Sequence, residues 1–379
     1  STTLSLSYNG LTGGLMREYN YVDGLWIGQS LALSAKWNNY NNSLTLSPDL
    51  YYAAARKTLI WNAKLSLKYA PMRLGKLELS GGNVSEDYNP LGIPRLDNAS
   101  STLLWGHNVS MLYNKKYLKI KNTIDLANGL SLVAEIQTAD RYGLDNHTHY
   151  HLFGGEKVGR PNLHNPEHFD LTAYSIELNY TPRYYYTVNN GRKTYEYATS
   201  PTFGIEYSEG FSGWQTNNSR FRKIEGKISQ SIKVSYFGTL ACQTGGGAFL
   251  GDTDRTHFAD YRHFRSAAMF STIVRPDRTF MMLDNYEAST CKYWVETHLN
   301  YNSKYILLKR LPFLQGKMLN ESLHLKHLYT PELGHYNELG YSINIPFVTL
   351  GAHVSFRRFE YERFGIRLSY NLLDLLLKK

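Results

Sequence analysis

Apolar and polar residues alternate along most of this 379-residue chain. In the run from Trp61 to Tyr69, apolar residues hold every odd position, and Asn, Lys or Ser holds every even one. The same period of two recurs in 30–37, 223–235 and 363–370. Successive side chains of a strand point to opposite faces, so each run predicts a strand with one apolar and one polar face.

The length of these runs and their aromatic ends favour a membrane protein over a soluble β-sandwich, which would also alternate. Several runs exceed the ~5–6 residues of an average strand and approach the ~9–11 residues that cross a bilayer. Aromatic residues make up 14% of the chain, with 31 Tyr, and many stand near the ends of apolar faces, as in aromatic girdles. We expect an all-β transmembrane antiparallel barrel, integral to a bacterial outer membrane and in contact with its lipid and lipopolysaccharide.

Composition argues against several other classes. No apolar run reaches the ~18 residues of a membrane helix, and the mean hydropathy of −0.41 suits a barrel whose lipid face uses every second residue. The net charge is +9, but Lys and Arg form no block, so we expect no nucleic-acid partner. Cys242 and Cys291 make neither a disulfide framework nor a zinc site, and a single bridge between them stays open. No signal peptide is visible at Ser1, so we expect a mature form or an excised domain.

The pattern predicts about sixteen strands, an even number as in single-chain bacterial barrels. The predicted ranges are 2–9, 24–37, 43–55, 58–70, 74–82, 117–127, 130–140, 170–181, 200–208, 221–235, 237–249, 291–301, 318–330, 337–345, 348–358 and 362–370. Asn128-Gly129 is the strongest tight-turn signal among the joints. We expect one barrel domain over residues 1–379.

The joints between these strands alternate in length. The long segments 83–116, 141–169 and 250–290 fall on one side of the strand count, as external loops do, and the short joints fall on the other, as periplasmic turns do. Segments 182–199 and 302–317 break this rule, because they are long joints on the periplasmic side. We expect the long loops to plug the lumen in part, with a short helix beginning near Asn98.

Several short motifs occur in the order of a known family. They are STLLWG at 101–106, DLANGL at 125–130, SQSIK at 229–233, FGTL at 237–240, ADYRHF at 259–264 and LYTPE at 328–332. Over roughly residues 100–370 the chain resembles a Bacteroidota outer-membrane barrel family of no established activity. Full members of that family carry a carboxypeptidase-regulatory-like β-sandwich before the barrel. The sandwich does not appear in this sequence, which suggests an excised barrel.

The strand count also resembles, more distantly, the surface-antigen barrels of the BamA and TamA type. Those barrels have sixteen strands and a long external loop after the eleventh, which here is 250–290. Their loop tip, Arg-Gly-aromatic, folds back into the lumen. This chain offers His263-Phe264-Arg265-Ser266, without the glycine. The resemblance implies a loop that returns into the barrel, and a periplasmic or surface-exposed partner protein.

Histidines in 141–169 offer a candidate metal site. His147, His149 and His151 lie on one face of an extended segment, a spacing that can bind zinc or copper, and Asp145 or Glu167 could complete the ligand set. The favoured interpretation is a polar loop with incidental histidines, because structural zinc sites usually have tighter spacing that includes cysteine. We therefore expect no metal and no cofactor.

Charged residues define the remaining candidate positions. A buried arginine needs a carboxylate partner, so we expect Arg265 of the 250–290 loop to contact the inward-facing Glu296 or Glu321. The other residues predicted to line the lumen are Lys64, Lys68, Lys119, Lys121, Glu225, Lys227, Lys233, His298, Arg363 and Arg367. Their positive excess would favour anions if the lumen were open.

No catalytic signature stands out in the sequence. It contains no G-x-S-x-G and no H-E-x-x-H, and Gly245-Gly246-Gly247 lacks the Lys-Ser/Thr of a phosphate loop. We therefore expect no enzyme and no catalytic residues. The favoured function is a structural, assembly or translocation-related outer-membrane component that acts with partner proteins. The alternatives are a passive channel with weak anion preference and a metal-dependent protein that uses the histidine loop.

Overall fold

A computed structural model describes residues 2–8, 18–39, 41–154, 162, 168–213, 217–308, 312, 319–345 and 347–370. Within these ranges eighteen strands form one sheet and two more form a separate hairpin. The strands of the first half of the chain are β1 (Thr3–Tyr8), β2 (Tyr19–Asn20), β3 (Gly24–Trp37), β4 (Asn42–Ala53), β5 (Thr58–Tyr69), β6 (Gly75–Asp87), β7 (Leu112–Ala127), β8 (Leu130–Gly143) and β9 (Leu171–Tyr180). The hairpin consists of β10 (Tyr184–Asn189) and β11 (Arg192–Ala198).

The remaining strands all belong to the large sheet. They are β12 (Thr202–Gly210), β13 (Phe221–Lys233), β14 (Gly238–Phe249), β15 (Ser271–Thr272), β16 (Tyr293–Ser303), β17 (Asn320–Thr330), β18 (Gly334–Ile345), β19 (Val348–Arg357) and β20 (Glu360–Tyr370). Within the described ranges the helices are α1 (Arg95–Trp105) and two 3₁₀ turns, Phe258–Asp260 and Pro276–Arg278. Across the described residues, no helix has the length and apolar character needed to traverse a bilayer.

The long strands pair antiparallel with their neighbours along the chain. Pairing runs from β1 to β3, then in order from β3 to β9, and from β9 to β12. It runs again from β14 to β16 and in order from β16 to β20. The short strand β15 pairs parallel with β20. An all-β, antiparallel architecture is thus confirmed.

The chain divides into two compact units. The first comprises Ser1–Tyr88, Asn98–Ile224 and Leu250–Asp260, and the second comprises Asn89–Asp97, Glu225–Phe249 and Tyr261–Lys379. We refer to them as unit 1 and unit 2 and describe each by itself.

Burial along the strands is the reverse of that in a soluble protein. On β17 of unit 2, Leu323 and Leu325 are 42% and 44% exposed, whereas the alternating His324 and Lys326 are 4% and 0% exposed. On β7 of unit 1, Leu118 is likewise 51% exposed. The two faces of each strand are called the apolar face and the polar face below, and the apolar face is the one turned outward to the surroundings.

Strands β6 and β7 are longer than the alternation predicts. They reach to Asp87 and begin at Leu112, so the segment between them is 88–111 and not 83–116. The added pairs are held by polar side chains: Asn114 Nδ2 donates to Asn83 Oδ1 at 2.9 Å, and Arg56 donates to Asn114 and Ser85. Hydrogen bonds between side chains support the longer strands here. The prediction missed them because it relied on alternating apolar residues.

Segment 182–199, the first of the two exceptions in joint length, contains the β10–β11 hairpin. Lys193 Nζ lies 2.5 Å from the Asp125 carboxylate, and Tyr195 Oη donates to the same carboxylate at 2.7 Å. The Gly129 amide donates to Tyr195 Oη at 2.8 Å. The hairpin is therefore anchored to the β7–β8 turn of unit 1. The second exception, 302–317, is described only at 302–308 and 312.

Helix α1 begins at Arg95, three residues before the predicted start, and ends at Trp105. Gly106 follows with a φ of 68°, and its amide donates to Thr102 O at 3.0 Å. A left-handed glycine just after the last turn is a common helix stop. In unit 1, Ala99 of the helix packs with the buried rings of Tyr19 and Tyr21.

Candidate functional site

A segment of five buried residues lies on the polar face of unit 2. Residues 279–283, called the docked segment here, are each exposed by 2% or less and follow the 3₁₀ turn Pro276–Arg278. They belong to the long 250–290 region that the sequence predicts to plug the lumen. The contacts of this segment form a buried polar network in unit 2.

Glu338 and Lys326 hold the backbone of the docked segment. The Glu338 carboxylate accepts the amides of Met281 and Met282 at 2.8 and 3.1 Å. Lys326 Nζ donates to Glu338 at 2.8 Å and to the Thr279 carbonyl at 2.5 Å. Both charged side chains are fully buried. Because each charge is paired and also bonded to backbone groups, the desolvation of this pair is offset within the site.

Strand residues beside the docked segment contact it and leave space for its side chains. Arg367 Nε donates to the Met281 carbonyl at 2.8 Å, and the His298 ring centroid lies 4.8 Å from that of Phe280. A Cβ on Gly365 would lie 3.0 Å from Met282 Cε. The missing side chain of this glycine therefore leaves room for the methionine. Arg367 and His298 were both predicted to line the lumen, and both contact the docked segment.

Arg262 makes a second contact between the 250–290 region and the polar face. Its guanidinium lies 3.0 Å from Glu296 and 3.3 Å from Glu225, over the ring of Trp294. The sequence predicts that Arg265 contacts Glu296. In the structure Arg262 makes that contact, and Arg265 is exposed. The residue three positions earlier is favoured because it can stack on an aromatic ring while it bridges two carboxylates.

Glu321 binds a different segment from the 250–290 region that the sequence predicts. Its carboxylate accepts the backbone amides of Ile306, Leu307 and Leu308 at 2.7, 2.6 and 2.5 Å. These donors follow β16, outside the 250–290 region. Glu321 therefore fixes the chain after β16, where backbone donors take the place of the expected arginine.

Arg363 lies at a more exposed part of the same region. It contacts Asp284 at 3.1 Å and Glu287 at 3.6 Å, and about a third of its side chain is exposed. Exposed ion pairs of this kind contribute little free energy. The buried contacts of Glu338, Lys326 and Arg367 are the ones that hold the segment.

Four lysines share two carboxylates in unit 1, and three of them, Lys64, Lys119 and Lys121, were predicted to line the lumen. The pairs are Lys64 with Glu78, Lys76 with Glu78 at 2.9 Å, Lys119 with Glu135 at 3.7 Å and Lys121 with Glu135 at 3.6 Å. These side chains are partly exposed on the polar face. Three further predicted lysines, Lys68, Lys227 and Lys233, are exposed.

Arg141 and Asp260 form a buried bidentate pair in unit 1. The guanidinium donates to the two carboxylate oxygens at 2.8 and 2.6 Å, and its Nε donates to Phe169 O at 2.7 Å. Burial alone would raise the pKa of Asp260, but the Arg141 charge and its hydrogen bonds hold that pKa below the usual value. This pair fixes the start of the 250–290 region. The sequence analysis did not predict that the two residues would pair.

The structure does not bring His147, His149 and His151 together as a metal-ligand set. His147 Nδ1 lies 3.0 Å from the carbonyl of Val22, and His151 Nδ1 lies 3.4 Å from Tyr21 Oη. The His149 ring lies 5.4 Å from the Tyr21 ring, so all three histidines contact residues 21–22 and not a shared metal position. Glu167, proposed to complete the set, lies outside the described residues.

Another group of potential ligands occurs in unit 1. Among the described residues, Asp140, His168 and Asp170 have ligand atoms within 4.8 Å of one another. His168 Nδ1 lies 2.6 Å from Asp140, and Asp170 accepts the Arg141 amide at 3.3 Å. A hydrogen bond between the histidine and a carboxylate, and a backbone contact, account for this arrangement.

Lys326 and Glu338 were missed by the sequence analysis. Each holds a polar position in an alternating run, which is the one signal that the sequence contains. Their meeting depends on the register of β17 on β18, where Lys326 faces Glu338 directly. The docked segment that they hold has no pattern of its own, since Thr279, Phe280 and Met281 are followed by two more apolar residues.

Comparison with protein families identifies the family of this chain. The model described as "Family of unknown function (DUF5686) C-terminal domain" matches residues 1–343, well over half of the chain. The chain belongs to this family. The expectation of a family without established activity is confirmed, and the Bacteroidota source and the preceding β-sandwich stay predictions for this DUF5686 domain.

Solved structures with similarity to the DUF5686 domain are bacterial barrels. BamA from Haemophilus ducreyi lacking POTRA domains 1–3 is 12% identical, with 97% of this chain and 70% of that chain covered and a TM-score of 0.48. OpdK from Pseudomonas aeruginosa is 10% identical, with 97% and 95% covered and a TM-score of 0.38. A mutant porin of Rh. blastica is 9% identical, with 98% and 99% covered and a TM-score of 0.34. A search of curated proteins found no match.

Proposed function

We propose that the chain is an integral outer-membrane β-barrel of about sixteen strands whose 250–290 region partly plugs the lumen. Its role in this proposal is structural, assembly-related or translocation-related, in association with a periplasmic or surface-exposed partner protein. The proposal assigns no catalytic activity and no cofactor.

The reversed burial of the strands is the observation that carries the membrane part of this proposal. Leaving a leucine side chain in water forgoes roughly 1.5–3 kcal/mol relative to burying it. Leu323 and Leu325 are exposed on one face of β17, while Lys326 is fully buried on the other. Such an arrangement is favourable when the apolar face meets hydrocarbon and every backbone group is paired within the sheet.

The contacts of the docked segment support a plugged barrel over an open pore. A segment that lined a passive channel would expose its polar groups to water. Here Glu338, Lys326 and Arg367 instead form hydrogen bonds with backbone atoms of residues 279–283. A lumen that is closed by its own chain is suited to a protein that works through a partner or a conformational change.

Reconstitution and electrical recording test both parts. We expect the purified chain to need detergent, to float with liposomes after a urea wash, and to show little conductance in planar bilayers. A chain that is folded and monodisperse in plain buffer would contradict the membrane assignment. A large, steady, ungated conductance would contradict the plug and leave the membrane assignment standing.

The lysines of unit 1 favour a second candidate, a passive channel with weak anion preference. Four lysines share two glutamates, Glu78 and Glu135, on the polar faces of β5 to β8. That positive excess would favour anions in an open lumen. Liposome swelling with small anionic and neutral solutes tests this candidate. Absence of solute uptake would remove it, and reversed selectivity in Lys119→Glu would support it.

A further inference from the structure

One carboxylate of unit 2 lies on the apolar face of the strands. Along β17, Leu323 and Leu325 of that face are 42% and 44% exposed. Glu321 holds the next alternate position toward the start of the strand, and it faces Ile343 of β18. It therefore points outward, whereas the sequence predicts that it faces inward, and yet it is 0% exposed. Because a charge on the lipid side of a barrel is destabilising, this carboxylate requires a cover.

The chain that follows β16 supplies the cover. Ser303, the last residue of β16, faces Glu321, and its hydroxyl accepts the Tyr305 amide at 3.2 Å. The chain turns there, and the backbone amides of residues 306–308 donate to the Glu321 carboxylate. Residues 304–308, called the outer segment here, thus lie on the outward side of the sheet.

The side chains of the outer segment extend the apolar surface of unit 2. Tyr305 and Leu307 are 50% and 58% exposed. The Tyr305 ring lies 5.0 Å from that of Phe237 in the β13–β14 turn, and the Phe237 ring lies 5.0 Å from that of Tyr236, both edge to face. Phe237 and Tyr236 are 50% and 95% exposed. These four side chains, called the outer patch, are of the type found at the boundary between hydrocarbon and water.

The charge around the outer patch suits such a boundary. Residues 232–240 and 299–308 contain no Asp and no Glu, and their charged residues are Lys233 and Lys304, both exposed. A lysine at the edge of an apolar surface can lay its stem along hydrocarbon and hold its ammonium in the headgroup layer. Val234, which follows β13, is 59% exposed, so the patch continues directly from the apolar residues of the strands.

We propose that the outer segment is an interfacial membrane segment whose partner is the phospholipid of the periplasmic leaflet. The inference rests on the proposed function, because it requires the apolar faces to lie in a bilayer and the short joints to lie on the periplasmic side. Tyr305 and Leu307 contact the acyl chains near the headgroups, as the apolar side of an interfacial segment does. The backbone donors of residues 306–308 keep Glu321 from hydrocarbon. A joint that leaves the sheet in this way is longer than a tight turn, as 302–317 is.

Nitroxide labels on single cysteines test the proposal in the full chain, reconstituted in phosphatidylcholine liposomes. The background is Cys242→Ala/Cys291→Ser, and the test label is attached to Leu307→Cys. The matched controls are Leu323→Cys, on the apolar face of β17, and Thr194→Cys, at an exposed position of the β10–β11 hairpin. Electron paramagnetic resonance measures how often each label collides with oxygen, which concentrates in hydrocarbon, and with a polar nickel chelate, which stays in water.

We expect the ratio of oxygen to chelate collisions at position 307 to exceed that at position 194 by about tenfold and to approach that at position 323, since entry into hydrocarbon costs a polar solute several kcal/mol. Equal ratios at 307 and 194 would overturn the proposal, because the outer patch would then face water. Shielding of position 307 from both reagents would also overturn it, because a protein surface would then cover the patch.

The label at position 323 separates this inference from the proposed function. If position 323 collides mainly with the chelate, the membrane assignment fails, and the interfacial segment fails with it. If position 323 reports hydrocarbon while position 307 reports water, the interfacial segment alone fails.

Discussion

At the scale of single residues, the Lys326–Glu338 pair is the most sensitive point of the structure. Lys326→Met removes the cation and leaves Glu338 buried with a charge that lacks its main partner. We expect the free energy of unfolding to fall by about 3 kcal/mol, since breaking a buried pair on one side costs about 3–5 kcal/mol. Urea unfolding in detergent, followed by tryptophan fluorescence, measures the change. The exposed Lys68→Met is the matched control and should shift stability by under about 0.5 kcal/mol.

The same pair shows what single-residue prediction from sequence can reach. Alternation identified the polar face of the strands, and two residues predicted on it, His298 and Arg367, contact the docked segment. It could not choose Arg262 over Arg265, because that choice depends on a Trp294 ring that is distant in sequence. Contacts set by register and packing lie beyond a period-two pattern.

The Arg141–Asp260 pair predicts a pH dependence. Burial would raise the pKa of Asp260, but Arg141 holds that pKa below the usual aspartate value of about 3.9. Its contribution to stability is therefore present above that unfolded value and is lost as the pH falls through the lower folded pKa. We expect the protection of the 250–260 amides against hydrogen exchange, relative to an unfolded chain at the same pH, to fall below about pH 4. Asp260→Asn should show low protection at every pH. An unchanged acid dependence in that variant would assign the effect to another group.

At the scale of elements, the buried Lys193–Asp125 contact is the charged part of the anchor of the β10–β11 hairpin. Lys193→Ala leaves Asp125 buried without its cation, so we expect the hairpin to detach while the large sheet stays folded. Amide exchange in 184–198 should then rise at least about tenfold, which corresponds to about 1.4 kcal/mol. Thr194→Ala, at the neighbouring exposed position, should leave exchange unchanged. Equal exchange in the two variants would contradict the anchoring role of Lys193.

The elements themselves could be predicted unevenly. The period of two located most long strands. Helix α1 was predicted from its polar start near Asn98, and Gly106 ends it. The extensions of β6 and β7 were missed because Asn83 and Asn114 pair through side chains without any apolar alternation. The hairpin in 182–199 was taken as a long joint, since its tyrosines and polar residues show no clear period.

At the scale of the whole molecule, the docked segment predicts a latent conductance. Glu338→Gln keeps the side-chain volume and Arg367→Gln shortens the side chain, and together they remove two charges that hold the backbone of residues 279–283. We expect this variant to insert as the parent does and to show frequent, long conducting events in planar bilayers, because the segment leaves the polar face. Arg363→Gln, which removes only a partly exposed ion pair, should behave as the parent. If the double variant stays as silent as the parent while exchange data show residues 279–283 released, the barrel is closed by another part of the chain, and the docked segment is structural.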